Sequence, residues 1–368
     1  MPFRIATVVI VATISLVVAG IVTTNGASGA SDASGPSNAP GRVLSVQERP
    51  GGGLDVRYLS MGVRGSPVEE TAVVWLPPGR RTGDVVAWGH QTTGIADTCA
   101  PSAKAEIEVP GRAALLAAGN VVVAPDYEGL GTAGVHPYLV GDSEGRSILD
   151  AIRAARSIAG AHGRSAAYGW SQGGHAVLFA GKLAPTYAPD VRLAGVAAIA
   201  PVTTVSSLLD GSSPLSQVSG VVAMVTAGYV AAYPDLDPAA VLGEPDQQLS
   251  AARRVCDVAG ALDGTPTKIT TDLTWAEHLD ENDPASSPIA VPMMFAQGED
   301  DFLLPLDEAV TAAEQLCAQG STVQLVRYPA TSHASVPQTS LADVMSWIGR
   351  RLAGHPTGPC GQREGRAS

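Results

Sequence analysis

Positive charge is scarce in this chain. Lys and Arg number 23 against 35 Asp and Glu, a formal net charge of −12 over 368 residues, and lysine is nearly absent. Contacts to nucleic-acid phosphates and adhesion to anionic lipid need clusters of Lys and Arg, so neither is expected, and the substrate should be neutral or apolar. Cysteine is sparse as well, and the four present show none of the spacings of a metal site. Beyond residue 22 no charge-free apolar run reaches the length that spans a bilayer. The acidic run Asp280-Glu281-Asn282-Asp283 lacks the glycine and ligand spacing of a calcium loop and reads as a solvated turn.

At the start of the chain, Arg4 precedes an apolar run from Ile5 to Val22 and then a small-residue tract that includes Ser28-Gly29-Ala30. This is the pattern of a secretory signal peptide over residues 1–30, with an uncleaved anchor as the alternative, and it points to a secreted or cell-envelope protein. Residues 31–41 are Gly, Ala, Ser, Asn, Asp and Pro, with little apolar surface to bury, and read as a flexible linker. In an oxidising compartment, Cys99, Cys256, Cys317 and Cys360 should form two disulfides, and spacing leaves all three pairings open.

Val43 to Val46, Leu54 to Met61 and Ala72 to Leu76 read as an antiparallel start. Val85 to Gly89, Val121 to Ala124, Ala166 to Trp170, Val196 to Ala200, Val291 to Ala296 and Val323 to Tyr328 are then short, almost wholly apolar runs, as in strands buried on both faces. Stretches of helical period separate them: Gly111 to Ala118, Glu144 to Ala159, Gly174 to Leu183, Asp307 to Ala318 and Ser340 to Leu352. Such alternation predicts an α/β fold with a mostly parallel central sheet and helices on both faces. Between Pro201 and Pro288 the strand rhythm stops, and helical pieces such as Leu215 to Ala232 take over. The division is a core over 42–201, an inserted helical cap or lid over 202–288, the rest of the core over 289–360, and a disordered tail over 361–368.

Gly169-Trp170-Ser171-Gln172-Gly173 ends one of the apolar runs and opens a helix. The sharp strand-to-helix turn of a nucleophile elbow needs glycine two residues before and two after the serine, which makes Ser171 the candidate nucleophile. A serine hydroxyl needs a base, and the base needs an acid to orient it. In this type of sheet they follow in the order acid, then histidine. His333 comes directly after the last apolar run, and Asp301 lies in the loop after the run before it, with Asp300 as the second choice. The oxyanion requires two donors: the backbone N–H of Gln172, and one from the loop His90-Gln91-Thr92-Thr93-Gly94, where Thr92 leads and Gln91 follows. Gly129-Leu130-Gly131-Thr132-Ala133-Gly134 matches a dinucleotide fingerprint in spacing, but His136 and Pro137 stand where the helix should begin. No metal or organic cofactor is implied.

With the elbow, three further motifs carry a resemblance: Thr98-Cys99-Ala100-Pro101-Ser102, Pro125-Asp126-Tyr127-Glu128-Gly129 and Leu149-Asp150-Ala151-Ile152-Arg153-Ala154. Together these resemble the secretory lipases of lipase A type, within the α/β-hydrolase superfamily, over most of residues 43–360. The resemblance implies a secreted carboxylic-ester hydrolase acting on acylglycerols or related long-chain esters, a helical cap that meets the lipid interface transiently, and disulfides Cys99–Cys256 and Cys317–Cys360. It also implies that Asp126 and Glu128 belong to the fold near the site. The chain departs from some relatives in lacking an acidic residue in the oxyanion loop and an extended flap after His333. The alternatives are an exported acyltransferase using the same residues and a non-catalytic lipid-binding protein on a hydrolase scaffold. The sequence carries no signal of oligomeric state.

Overall fold

The structure, a computed structural model, describes residues 38–217, 220–256 and 272–365. The expected signal peptide, most of the expected linker, and residues 218–219 and 257–271 of the expected cap lie outside the described residues.

Ten strands form one sheet: β1 Val43–Glu48, β2 Leu54–Met61, β3 Pro67–Trp75, β4 Val85–Gly89, β5 Val121–Pro125, β6 Ser165–Trp170, β7 Leu193–Ile199, β8 Met293–Gly298, β9 Val323–Tyr328 and β10 Gly361–Glu364. Their order is β1-β2-β3-β5-β4-β6-β7-β8-β9-β10. The first three strands are antiparallel, β3 meets β5 antiparallel, and every later pairing is parallel. From β4 the chain turns to β5 on one side and to β6 on the other. The carboxyl ends of β4 and β6 therefore flank the point where strand order reverses, the place where open α/β sheets hold their ligands.

The helices are α1 Arg112–Ala117, α2 Gly141–Ala159, α3 Gln172–Tyr187, α4 Ser206–Asp210, α5 Val221–Ala232, α6 Pro245–Ala252, α7 Leu273–Glu281, α8 Leu306–Ala318, α9 Val336–Thr339 and α10 Leu341–Leu352. The central strands are apolar on both sides because both sides are covered. Val85, Ala87, Val121 and Val123 pack with α2, α3 and α8, and Val86, Val122, Ala166 and Tyr168 pack with α1 and α10. The insertion builds its own apolar cluster from α4 to α7, with Trp275 and Tyr229 fully buried. Helix α5 has apolar residues all round and buries them all round from Val221 to Tyr229. This cluster also takes in Ile95, Tyr138, Leu139 and Leu304, so the insertion packs directly onto loops of the core.

Two boundaries need correction. The expected linker reaches too far: Gly41 is buried, donates its N–H to the Leu59 carbonyl at 2.7 Å, and would drive a Cβ to 2.2 Å from that of Arg153. The expected disordered tail begins too early. Gly361–Glu364 pair in parallel with β9, because the Cys317–Cys360 disulfide holds the preceding residue at the sheet edge. The other disulfide joins Cys99 to Cys256, so both pairings match those the resemblance implies. Cys317 and Cys360 are 43 residues apart, and closing a loop of that size stabilises a fold by about 3–4 kcal/mol. The double variant Cys317→Ser/Cys360→Ser should lose about that much in urea denaturation, with faster amide exchange at residues 361–364.

Candidate active site

Strand β6 is a run of small and aromatic residues buried until its last position, and it delivers Ser171 to the reversal point as the N-cap of α3. Ser171 has φ 58° and ψ −118°, a conformation that side-chain-bearing residues avoid and that costs about 1–3 kcal/mol unless its surroundings impose it. Here they do. Its N–H donates to the Ile199 carbonyl at 2.9 Å, and its carbonyl accepts from His175 N–H at 3.2 Å. A Cβ on Gly169 would lie 2.2 Å from the Gly173 carbonyl oxygen, and one on Gly173 would lie 2.0 Å from that of Gly89. The two glycines bracketing the serine are thus steric requirements, and Gly89 at the end of β4 is the surface they meet.

Asp301 and His333 come from the ends of adjacent parallel strands, and the structure brings them together. His333 Nδ1 lies 2.8 Å from Asp301 Oδ2. The other Asp301 oxygen accepts the Leu303 and Leu304 N–H groups at 3.0 and 2.9 Å, and Gln297 Nε2 donates to Oδ2 at 3.1 Å. A carboxylate only accepts, so Nδ1 carries the His333 proton and the lone pair of the neutral ring is on Nε2. Asp300, the second choice, is exposed and takes no part. The His333 ring centroid is 5.4 Å from that of Trp170, the residue before Ser171. Among the described residues no hydrogen bond joins Ser171 to His333, a contact that often tightens only with substrate bound.

Gln172 is the first residue of α3, where a backbone N–H has no partner within the helix. In the loop after β4, His90 Nδ1 donates to the Gln91 carbonyl at 2.6 Å, and Thr92 Oγ1 lies 2.8 Å from the Tyr138 hydroxyl. Burial holds the His90 imidazole down at about 4. Asp126 belongs to the scaffold: it accepts from Thr71 Oγ1 at 2.6 Å and Ser102 N–H at 2.8 Å, and burial still pushes its carboxyl up to about 6. Glu128 accepts from Ser143 Oγ at 2.5 Å. No helix opens after Gly129–Gly134 until Gly141, so the glycine fingerprint has no helix terminus to present to a phosphate.

A buried network beneath Gln172 is not foreseen from sequence. Gln172 Nε2 donates to Glu144 Oε1 at 2.7 Å and to His136 Nε2 at 2.8 Å. His136 must therefore carry its proton on Nδ1, which donates to the Glu128 carbonyl at 2.8 Å, and burial lowers its pKa. Glu144 Oε2 is 2.7 Å from His175 Nδ1, and His175 Nε2 is 2.9 Å from the Asn282 carbonyl. The Glu144 and His175 side chains are fully buried, so their hydrogen bond is sealed from water. Asn282 is buried, not part of the expected solvated turn; it accepts from Gly141 N–H and donates to Tyr233 and the His278 carbonyl. The one signal of Glu144 is an acid on the apolar stripe of a helix, with Ile148, Ala151, Ile152 and Ala155.

Residues 101–272 match the family model described as secretory lipase. The chain is similar to the secretory lipases. It is 25% identical to Lipase A of Arthroderma benhamiae over 335 residues, covering 81% of this chain and 70% of that one. It is also 25% identical to a probable inactive lipase of Mycobacterium tuberculosis, over 81% of this chain and 73% of that one. The structure of Candida antarctica lipase A in its closed state superposes with a TM-score of 0.74 at 22% identity, covering 90% of this chain and 88% of that one. The fold is that of the α/β-hydrolases.

Leaving a buried polar group without its hydrogen-bond partner costs about 1–3 kcal/mol. Glu144→Gln keeps the volume and the contact to Gln172 but strips the His175 partner, and should destabilise the protein by about that amount in urea denaturation.

Proposed function

We propose that the protein is a secreted serine esterase of lipase type, with Ser171, His333 and Asp301 as its catalytic residues. The observation that carries this reading is the Asp301–His333 hydrogen bond beside a serine held at φ 58° by glycine contacts. Ser171 Oγ attacks the ester carbonyl while His333 Nε2 takes its proton, and Asp301 stabilises the imidazolium that forms. The oxyanion is met by the Gln172 N–H and by Thr92 or Gln91. His333 then protonates the departing alcohol, and water repeats the sequence on the acyl-serine. No step calls for a metal or organic cofactor.

Similarity to secretory lipases supports acyl esters as the substrate class, acylglycerols among them, and supports export. Among the described residues no helix is long and apolar enough to cross a membrane. The likeness to a relative named as probably inactive makes turnover itself the point to test. Mature protein should hydrolyse p-nitrophenyl butyrate, and Ser171→Ala should lower kcat by about 10⁴-fold or more and Asp301→Asn by about 10³–10⁴-fold. A lipid-binding protein without turnover would show no rate above the Ser171→Ala background.

A further inference from the structure

The donors that the loop after β4 offers to an oxyanion are of use only while they stay free. Among the described residues, the N–H groups of Gln91, Thr92 and Thr93 donate to no acceptor within the protein. Free donors cannot hold the loop that carries them, so its path has to be imposed by packing. On one side, the His90 ring meets the Gln91 carbonyl and the Tyr138 hydroxyl meets Thr92 Oγ1. On the other side the contact comes from the insertion. Gly94, at φ 105°, is buried against the segment just past α6: a Cβ there would lie 2.6 Å from the Val255 carbonyl oxygen, 3.0 Å from Cys256 Cα and 2.8 Å from Cys99 Sγ.

That segment has little hold of its own. Among the described residues neither Val255 nor Cys256 makes a backbone–backbone hydrogen bond, Arg253 and Arg254 bond only back into α6, and Arg253, Arg254 and Cys256 are exposed. What keeps the segment against Gly94 is the disulfide from Cys256 to the fully buried Cys99. We infer that the Cys99–Cys256 disulfide, acting through the Gly94 contact, is a positioning element for catalysis: it holds the loop after β4 where Gln91 and Thr92 meet the tetrahedral oxyanion. The oxyanion exists only as the reaction proceeds, so displacing the loop lowers kcat and leaves the binding of the uncharged ester in place. The inference rests on the esterase reading for its place in the reaction, and the order of the loop can be measured apart from turnover.

Cys99→Ala/Cys256→Ala should lower kcat for p-nitrophenyl butyrate by about 10²-fold, the loss expected when one oxyanion donor moves out of place, with KM changed by no more than about twofold. Butylboronic acid adds Ser171 Oγ to its boron as the serine proton passes to His333, and this tetrahedral adduct should weaken in the variant by a similar factor. Cys317→Ser/Cys360→Ser also deletes a loop-closing disulfide and should keep wild-type kcat and boronate affinity, which separates positioning from loss of stability. Gly94→Ala keeps both disulfides but forces the same contact apart, and should lower kcat with little change in KM; it decides the matter if the first variant does not fold. Backbone ¹⁵N order parameters of residues 91–95 should fall in Cys99→Ala/Cys256→Ala while those of residues 299–304 stay as in wild type. Wild-type kcat in the variant, or equal losses in the two disulfide variants, overturns the proposal. If wild type neither cleaves the ester nor binds the boronate, the esterase reading fails and the order parameters alone decide: a fall confined to residues 91–95 supports the disulfide as what positions the loop, and no fall overturns it.

Discussion

The candidate site hangs on one steric fact: three stretches of backbone meet where no Cβ fits. Gly89 closes β4, Gly169 precedes the turn and Gly173 follows it, and the approaches between them are shorter than any side chain allows. Because β4 and β6 are parallel neighbours in register, with Gly89 opposite Gly169, the close contact also places the loop after β4 beside the start of α3. One contact therefore holds the serine in its strained conformation and sets the two proposed oxyanion elements next to each other. The strain is imposed by packing, which is how an unfavourable backbone conformation persists.

Below that contact, the polar network ties the site to the insertion. Gln172 is held by Glu144, Glu144 by His175, and His175 by the Asn282 carbonyl just past α7. The apolar cluster of the insertion also includes Leu304, whose N–H holds Asp301, and Ile95 just beyond the loop after β4. The insertion is thus part of what keeps the core loops in place. The value of this network is orientation: the Gln172 amide and the His175 ring each face fixed partners.

The sheet, its flanking helices and the residues proposed for catalysis were legible because each rests on a local rule. Strands buried on both faces read as apolar runs, the elbow needs glycine at fixed offsets, and acid and base follow at the ends of later strands. Glu144 was not legible, since its partners come from α3 and from the insertion, and an isolated acid on a helix announces no partner. Nor was β10: Gly361–Glu364 is polar and wholly exposed, with no alternating pattern to mark it as a strand. The burial of Asn282 inside an acidic run was hidden for the same reason, because charge around a residue says nothing about which way its own side chain turns.

The sequence by itself determined the α/β alternation, the strained serine, and the order of acid and histidine after it, since these follow from side-chain volume, backbone conformation and chain order. Only the tertiary structure decided the choice of Asp301 over Asp300, the tautomer of His136, the anchoring of the insertion through Asn282 and the extra edge strand. Those depend on which donors face which acceptors across segments far apart in the chain, and no local pattern encodes that.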